Sequence, residues 1–209
     1  MGPRAAPLTD EKAVAPHRAA HIITLHKRAS EVDSRAMDAH HDQVMKLRAQ
    51  AGTGTKRYFA YSTILDRAAF DEWKGQHEYG FFSLPEGAIA EALEVDFVFD
   101  FPSRFWGGRV AGLTDAAGTS VFGRLFEVAE ADWPIIQHKE GAVTGMCVER
   151  SVRVRVGGEI TDAVAFTTRP DRASGEGPVS ARFVEALVRG ARSAGLPAAQ
   201  VERIEAAAR

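Results

Sequence analysis

Val148, Val152, Val154 and Val156 alternate with Glu149, Ser151, Arg153 and Arg155, and the run stops at Gly157-Gly158 before Glu159–Thr168 returns. Period-two alternation puts the valines on one face of a strand, and the glycine pair is a two-residue hairpin turn. A short helix is expected just upstream. Asp132 starts it, Pro134 sits where a missing N–H costs nothing, Ile135 and Ile136 can face inward, and Gly141 is suited to the left-handed residue that ends a helix. Glu140 is thereby placed at a helix C-terminus, ahead of a strand over Cys147–Val156. A carboxylate there faces the negative pole of the helix dipole, which disfavours its ionised form and raises its pKa. Glu140 is therefore a candidate general acid/base, and the alternative is a solvated glutamate beside a cap.

The remaining chain alternates short strands and helices from Lys56 onward. Arg57–Tyr61 reads as an aromatic strand leading into Ser62–Leu65, and Asp66 caps a helix over Asp66–Lys74 with Ala69, Phe70 and Trp73 on its apolar face. Leu84–Leu93, opened by Pro85, reads as a second helix. Phe97, Phe99 and Phe101 alternate with Asp96, Val98 and Asp100 in a strand over Val95–Phe101, which Pro102 ends. Trp106-Gly107-Gly108 is a tight turn, and Arg109–Leu113 and Ser120–Val128 read as strands paired across an Asp115–Thr119 loop. Pro178 and Ser180 introduce a helix to about Ala194 with Val184, Leu187, Val188 and Ala191 on one face. Gly195 caps it, and Pro197 begins a final helix. Strands pairing with sequential neighbours and interrupted by helices predict an α+β fold with a mixed, barrel-like sheet.

With 209 residues, the chain has room for one domain, expected over 56–209, plus an N-terminal extension over 1–55. That extension holds five of the seven histidines (His17, His21, His26, His40, His41) and no aromatic residue. Residues 1–17 are expected to be disordered, and Met37, His41, Val44 and Leu47 predict a helix over Asp33–Gln50. No companion cysteines or HExxH frame accompany the histidines, so no metal is expected. Ala51–Thr55 followed by Lys56 lacks the spacing of a phosphate loop. A net charge of −2 speaks against a nucleic-acid binder, and no apolar run is long enough for a bilayer. With one cysteine, Cys147, and no signal peptide, a reducing cytoplasmic location is expected. Ser62, Ser120 and Ser180 lack a GxSxG setting. A Cys147–His138 nucleophile is an option, with a small buried apolar cysteine as the simpler one.

Three stretches together resemble the γ-glutamylcyclotransferase family. Tyr58–Leu65, YFAYSTIL, is similar to the family's YFAYGSNL; Trp106–Val110, WGGRV, is similar to its tryptophan–double-glycine segment. Lys139–Met146, KEGAVTGM, is similar to the segment that holds the family's catalytic glutamate. Gly195-Leu196-Pro197 fits as well, and the resemblance covers residues 57–205. It implies a small mixed β-barrel flanked by helices and leaves the helical or partly disordered N-terminal arm outside it. The implied reaction is cleavage of a γ-glutamyl amide by the substrate's own α-amine, giving 5-oxoproline and a free amine, without metal or organic cofactor. Glu140 would be its acid/base, and Tyr58, Phe59, Ala60, Tyr61, Ser62 and Thr63 would hold the glutamyl group through backbone N–H donors. Phe183 stands where a substrate-contacting tyrosine is expected. The implied partner is a small γ-glutamyl molecule, neither nucleic acid nor membrane, with homodimerisation left open.

This chain departs from the family pattern at Ser62-Thr63-Ile64, where the family has Gly-Ser-Asn, at Cys147, where it has a tyrosine, and at Phe183. Each change makes the pocket less polar, which would suit a larger or less polar amine portion. The alternative is a non-catalytic member of the same fold, a binding module for a small molecule or protein, with the N-terminal arm as its contact.

Overall fold

A computed structural model of the chain describes residues 39–208. The expected disorder of residues 1–17, the histidines at 17, 21 and 26, and the start of the helix expected from Asp33 lie outside the described residues. Helix α1 runs over 39–50 and buries Val44. It is followed by β1 (Thr55–Ala60), α2 (Arg67–Gln76), β2 (Ala88–Ser103), β3 (Gly108–Ala129) and α3 (Trp133–Lys139). The hairpin strands β4 (Cys147–Val156) and β5 (Glu159–Thr168) come next, then α4 (Ala181–Ser193) and α5 (Ala198–Ala207). No helix among the described residues is long and apolar enough to cross a membrane.

The five strands close into a barrel in the order β1-β3-β2-β4-β5. All neighbours are antiparallel except β1 and β5, which meet in parallel at Tyr58↔Val164. Closure gives every strand two neighbours, with short seams between β2 and β4 and between β1 and β5. The expected mixed barrel is what the chain forms, and the β4–β5 turn carries positive φ at Gly157 (57°) and Gly158 (90°), as a primed hairpin turn requires. Asp66 caps α2 by accepting a hydrogen bond from the Ala69 N–H, and Ser180 does the same for α4 with Phe183.

Two local expectations are corrected. Leu84–Leu93 is not a helix: Ala88 onward is strand, paired from Ala88↔Leu125 to Leu93↔Ser120. Ala90 and Ala92 are buried while Ile89, Glu91 and Leu93 are not, a period of two that pairing with β3 imposes over alanine's helical preference. Arg109–Leu113 and Ser120–Val128 do not pair with each other. They are one 22-residue strand, and the supposed loop between them is a bulge opposite Glu94. There Gly118 and Glu94 take φ of +74° and +59°, and the Thr119 hydroxyl donates to the Val95 and Ala116 carbonyls. Asp132 holds the N-cap position of α3, as expected, while its carboxylate pairs with Arg48 of α1 at 3.1 Å.

Two glycines set how closely layers approach. A Cβ at Gly123 of β3 would lie 2.2 Å from the Ala60 carbonyl oxygen and 2.8 Å from the Phe59 ring. A Cβ at Gly108 would lie 2.8 Å from the Pro178 carbonyl oxygen, where the segment leading into α4 runs alongside Arg109. The tryptophan–double-glycine segment thus serves packing. Gly107 makes the turn at φ +71°, and half-buried Trp106 meets Phe183 edge-on with centroids 5.3 Å apart.

Candidate active site

The Glu140 corner is built by the residues that punctuate it. Ile135 and Ile136 are fully buried and seat the short helix α3 in the core. Its end is a Schellman motif: the Ala142 N–H donates to the Gln137 carbonyl and the Gly141 N–H to that of His138. Gly141 adopts φ +78°. The Gly141 carbonyl then accepts from Met146 and Cys147, which ties the corner to the start of β4. Glu140 is the C-cap residue of this rigid arrangement, as expected from the sequence.

The Glu140 carboxylate is turned inward, and its Oε1 is shut off from solvent without a hydrogen-bond partner. Burial pushes its pKa up, while the Lys139 charge and the nearby Tyr58 hydroxyl pull it back. The main cause is therefore desolvation, where the sequence suggested the helix dipole. The same carboxylate acts on its neighbours: burial first, then the Glu140 charge, holds Tyr58 and Tyr61 well above the ordinary phenol range. A carboxylate reluctant to ionise, between two phenols that stay protonated, is suited to accept and return a proton.

Tyr58, Phe59, Ala60 and Tyr61 are all buried at the end of β1. Tyr58 sits among Phe126, Trp133 and Phe166 with centroid separations of 6.2, 6.0 and 5.9 Å, and the Tyr61 hydroxyl donates to the Phe166 carbonyl at 2.5 Å. Phe59 stacks on Tyr61. Beyond Tyr61 the chain makes a 3-10 turn over Thr63–Leu65 with Ser62 as its N-cap. Its backbone bonds run from the Leu65 N–H to the Ser62 carbonyl and from the Asp66 N–H to that of Thr63. The first N–H groups of such a turn find no acceptor inside it. Ile64, which replaces the family's asparagine, points into the core and is buried.

Helix α4 fixes this turn from behind. Arg189 Nε donates to Asp66 at 3.1 Å and the Ser193 hydroxyl to the Leu65 carbonyl at 3.2 Å. Gly190 permits the contact, since a Cβ there would lie 2.9 Å from the Asp66 nitrogen. Phe183, at the other end of α4, packs edge-on against Phe99 and Trp106.

Asp100 was read from the alternation as an outward residue of a strand. The register slips between Phe99 and Phe101, so Asp100 is the extra residue of a bulge, and bulges re-aim side chains. Its Oδ1 accepts from the Thr168 hydroxyl at 2.6 Å, and its charge raises the pKa of Tyr61 and Cys147. The Arg150 guanidinium opposes it at Tyr61 and anchors on the Leu113 carbonyl. Burial, with Glu140 and Asp100 beside it, pushes the Cys147 thiol up to about 12. A nucleophilic cysteine needs the reverse, and the His138 Nδ1 shares its hydrogen bond with Tyr79 instead. Among the described residues, no group of three or more His, Cys, Asp or Glu side chains is arranged to hold a metal.

A model of the AIG2-like family matches residues 120–204, a stretch that includes Glu140. A solved γ-glutamyl cyclotransferase superposes with a TM-score of 0.59 over 73% of this chain and 87% of its own, at 20% identity. The fold is γ-glutamyl cyclotransferase-like. An uncharacterized protein from Homo sapiens shares it with a TM-score of 0.60 and 21% identity, over 73% of this chain and 87% of that one. YkqA from Bacillus subtilis does so with a TM-score of 0.61 and 19% identity, over 73% of this chain and 53% of that longer one. No curated protein matches the sequence. In the γ-glutamyl cyclotransferase-like barrel, the Tyr58–Thr63 stretch lies outside the part matched by the family model, and the Glu140 corner lies inside it.

Proposed function

We propose that the chain cleaves a γ-glutamyl amide by intramolecular cyclisation, with Glu140 as the proton carrier. The observation that carries this is the buried, partnerless Oε1 of Glu140 on a rigid cap beside Tyr58 and Tyr61. Ionised Glu140 takes a proton from the substrate's α-ammonium, and the freed amine attacks the γ-carbonyl carbon. The tetrahedral oxyanion would be met by N–H groups of the Ser62–Thr63 turn. Glu140 then returns that proton to the departing nitrogen, the C–N bond breaks, and the second hydrogen lost by the attacking nitrogen passes through Glu140 to the released amine, so that 5-oxoproline and an ammonium leave. Holding the glutamyl chain curled for ring closure supplies much of the acceleration. A dry site favours the internal amine over water as nucleophile. Buried Ile64 and the non-phenolic side chains of Cys147 and Phe183 favour an amine portion larger or less polar than a single amino acid. The lone cysteine suits a reducing cytoplasm.

A second reading, a binding module without turnover, is favoured by the Ser62-Thr63-Ile64 turn, which replaces a glycine and an amide of the family. Incubating the protein with a panel of γ-glutamyl amines and measuring 5-oxoproline by mass spectrometry separates the two. Cyclisation predicts product from at least one substrate and none above background from Glu140→Gln. Absence of product across the panel, or equal product from both proteins, supports the binding module.

A further inference from the structure

Four imidazoles from three parts of the chain meet beside α3. His40 and His41 come from α1, His77 follows α2, and His138 lies on α3 two residues before Glu140. The His138 ring is 5.1 Å from that of His77 and 5.7 Å from that of His40. His41 stacks on Tyr79 at 5.2 Å and donates from Nδ1 to the His77 carbonyl at 3.0 Å. His77 in turn donates from Nδ1 to the Trp73 carbonyl at 2.8 Å, and the Tyr79 hydroxyl shares a 2.9 Å hydrogen bond with His138 Nδ1. Beside buried Val44 and the Arg48–Asp132 pair, the contacts of α1 on this face run through His40 and His41, made to imidazoles and to Tyr79.

We propose that this histidine cluster is an acid-released latch that holds helix α1 against the face formed by α2, Tyr79 and α3. A proton gained by His138 places a charge among the three neighbouring rings and, on Nδ1, removes the acceptor for Tyr79. The groups whose charge reaches His138 are His77, His40 and His41, all of one sign. Lys139 is cationic and lies over the Trp73 ring; Lys74 is engaged with Asp71; Arg48 of α1 is engaged with Asp132 and covers Phe81, which packs on Tyr79. Desolvation and the three imidazoles bring the His138 pKa down to about 4. With the latch open, that histidine loses the cover of α1 and moves back toward its ordinary value. The open state therefore binds more protons, and the latch weakens as pH falls below that ordinary value. A full return to about 6.5 sets the ceiling, a rise of about twentyfold in the opening constant from pH 7 to pH 5. Only the effect of unlatching on turnover rests on the proposed function, because α3 carries Glu140.

Hydrogen exchange read by mass spectrometry tests the latch without any substrate. Protection factors for 40–50 should fall severalfold, up to about twentyfold, between pH 7 and pH 5, while those of the β4–β5 hairpin stay constant. Tyr79→Phe, which loses the hydrogen bond but keeps every imidazole, should retain the fall; His138→Phe should lose most of it. Unchanged protection of 40–50 in the wild-type protein overturns the latch. So does an equal fall in the hairpin, which would mean global acid unfolding, or an undiminished fall in His138→Phe. If His138→Phe fails to fold, the wild-type and Tyr79→Phe profiles decide.

Discussion

Glu140→Gln is expected to lower 5-oxoproline formation about a thousandfold, the scale on which a positioned acid/base works. The same substitution is expected to leave the fold intact and to raise its stability at neutral pH. The sign follows from the raised pKa. Glu140 keeps its proton in the folded protein over a pH range where the unfolded chain has released it. Stability is therefore lost as pH rises from the ordinary value of 4.5 through the raised folded value. Glutamine cannot ionise, so the variant should match the wild type below that window and exceed it above, in thermal melts recorded as a function of pH. Activity runs the other way. Catalysis begins with ionised Glu140, so the acid limb of kcat/KM should lie above the ordinary carboxylate range. Destabilisation and activity would then share one cause, burial of the carboxylate.

Gly123→Ala is expected to be the most damaging single methyl group in the barrel. The added Cβ would stand 2.2 Å from the Ala60 carbonyl oxygen, and that neighbour is backbone held in the β1–β3 ladder. Neither strand can yield cheaply, since β1 also closes the barrel against β5 at Tyr58↔Val164. Overpacking of this kind costs about 3 kcal/mol, which for a chain of this size lowers Tm by roughly 6–12 °C. Ala60 immediately precedes Tyr61 and the Ser62–Thr63 turn, so residual activity should fall as well. Gly118→Ala, where no atom lies within 4 Å but φ is +74°, is the control for backbone strain without collision. It should cost less, because αL strain at one residue is about 1 kcal/mol.

Local punctuation made the Glu140 corner legible. Pro134, the isoleucine pair and Gly141 act within a few residues of one another, and the Schellman hydrogen bonds they form are equally local. The β4–β5 hairpin was legible for the same reason. What the sequence hid depends on partners far along the chain. Ala88–Leu93 is a strand because β3 pairs with it, and its alanines carry a helical preference that misleads. The Asp132 carboxylate pairs with Arg48 far up the chain, and Asp100 is re-aimed by a slip in register against Val110 and Ala111. Neither event leaves a trace in the local pattern. The histidines show the same limit: His40-His41 was visible as a pair, but not its meeting with His77 and His138. In the candidate site, the glutamate and the aromatic end of β1 were named from sequence. Missed were Asp100, Arg150 and the support of the turn by Arg189, Gly190 and Ser193.

The most direct measurement is turnover of a γ-glutamyl amine in water enriched in oxygen-18, with products weighed by mass spectrometry. Intramolecular attack by the α-amine uses no water. The expected product is 5-oxoproline without added label, released with the free amine and absent with Glu140→Gln. Labelled glutamate as the primary product would instead show hydrolysis, and would contradict Glu140-driven cyclisation.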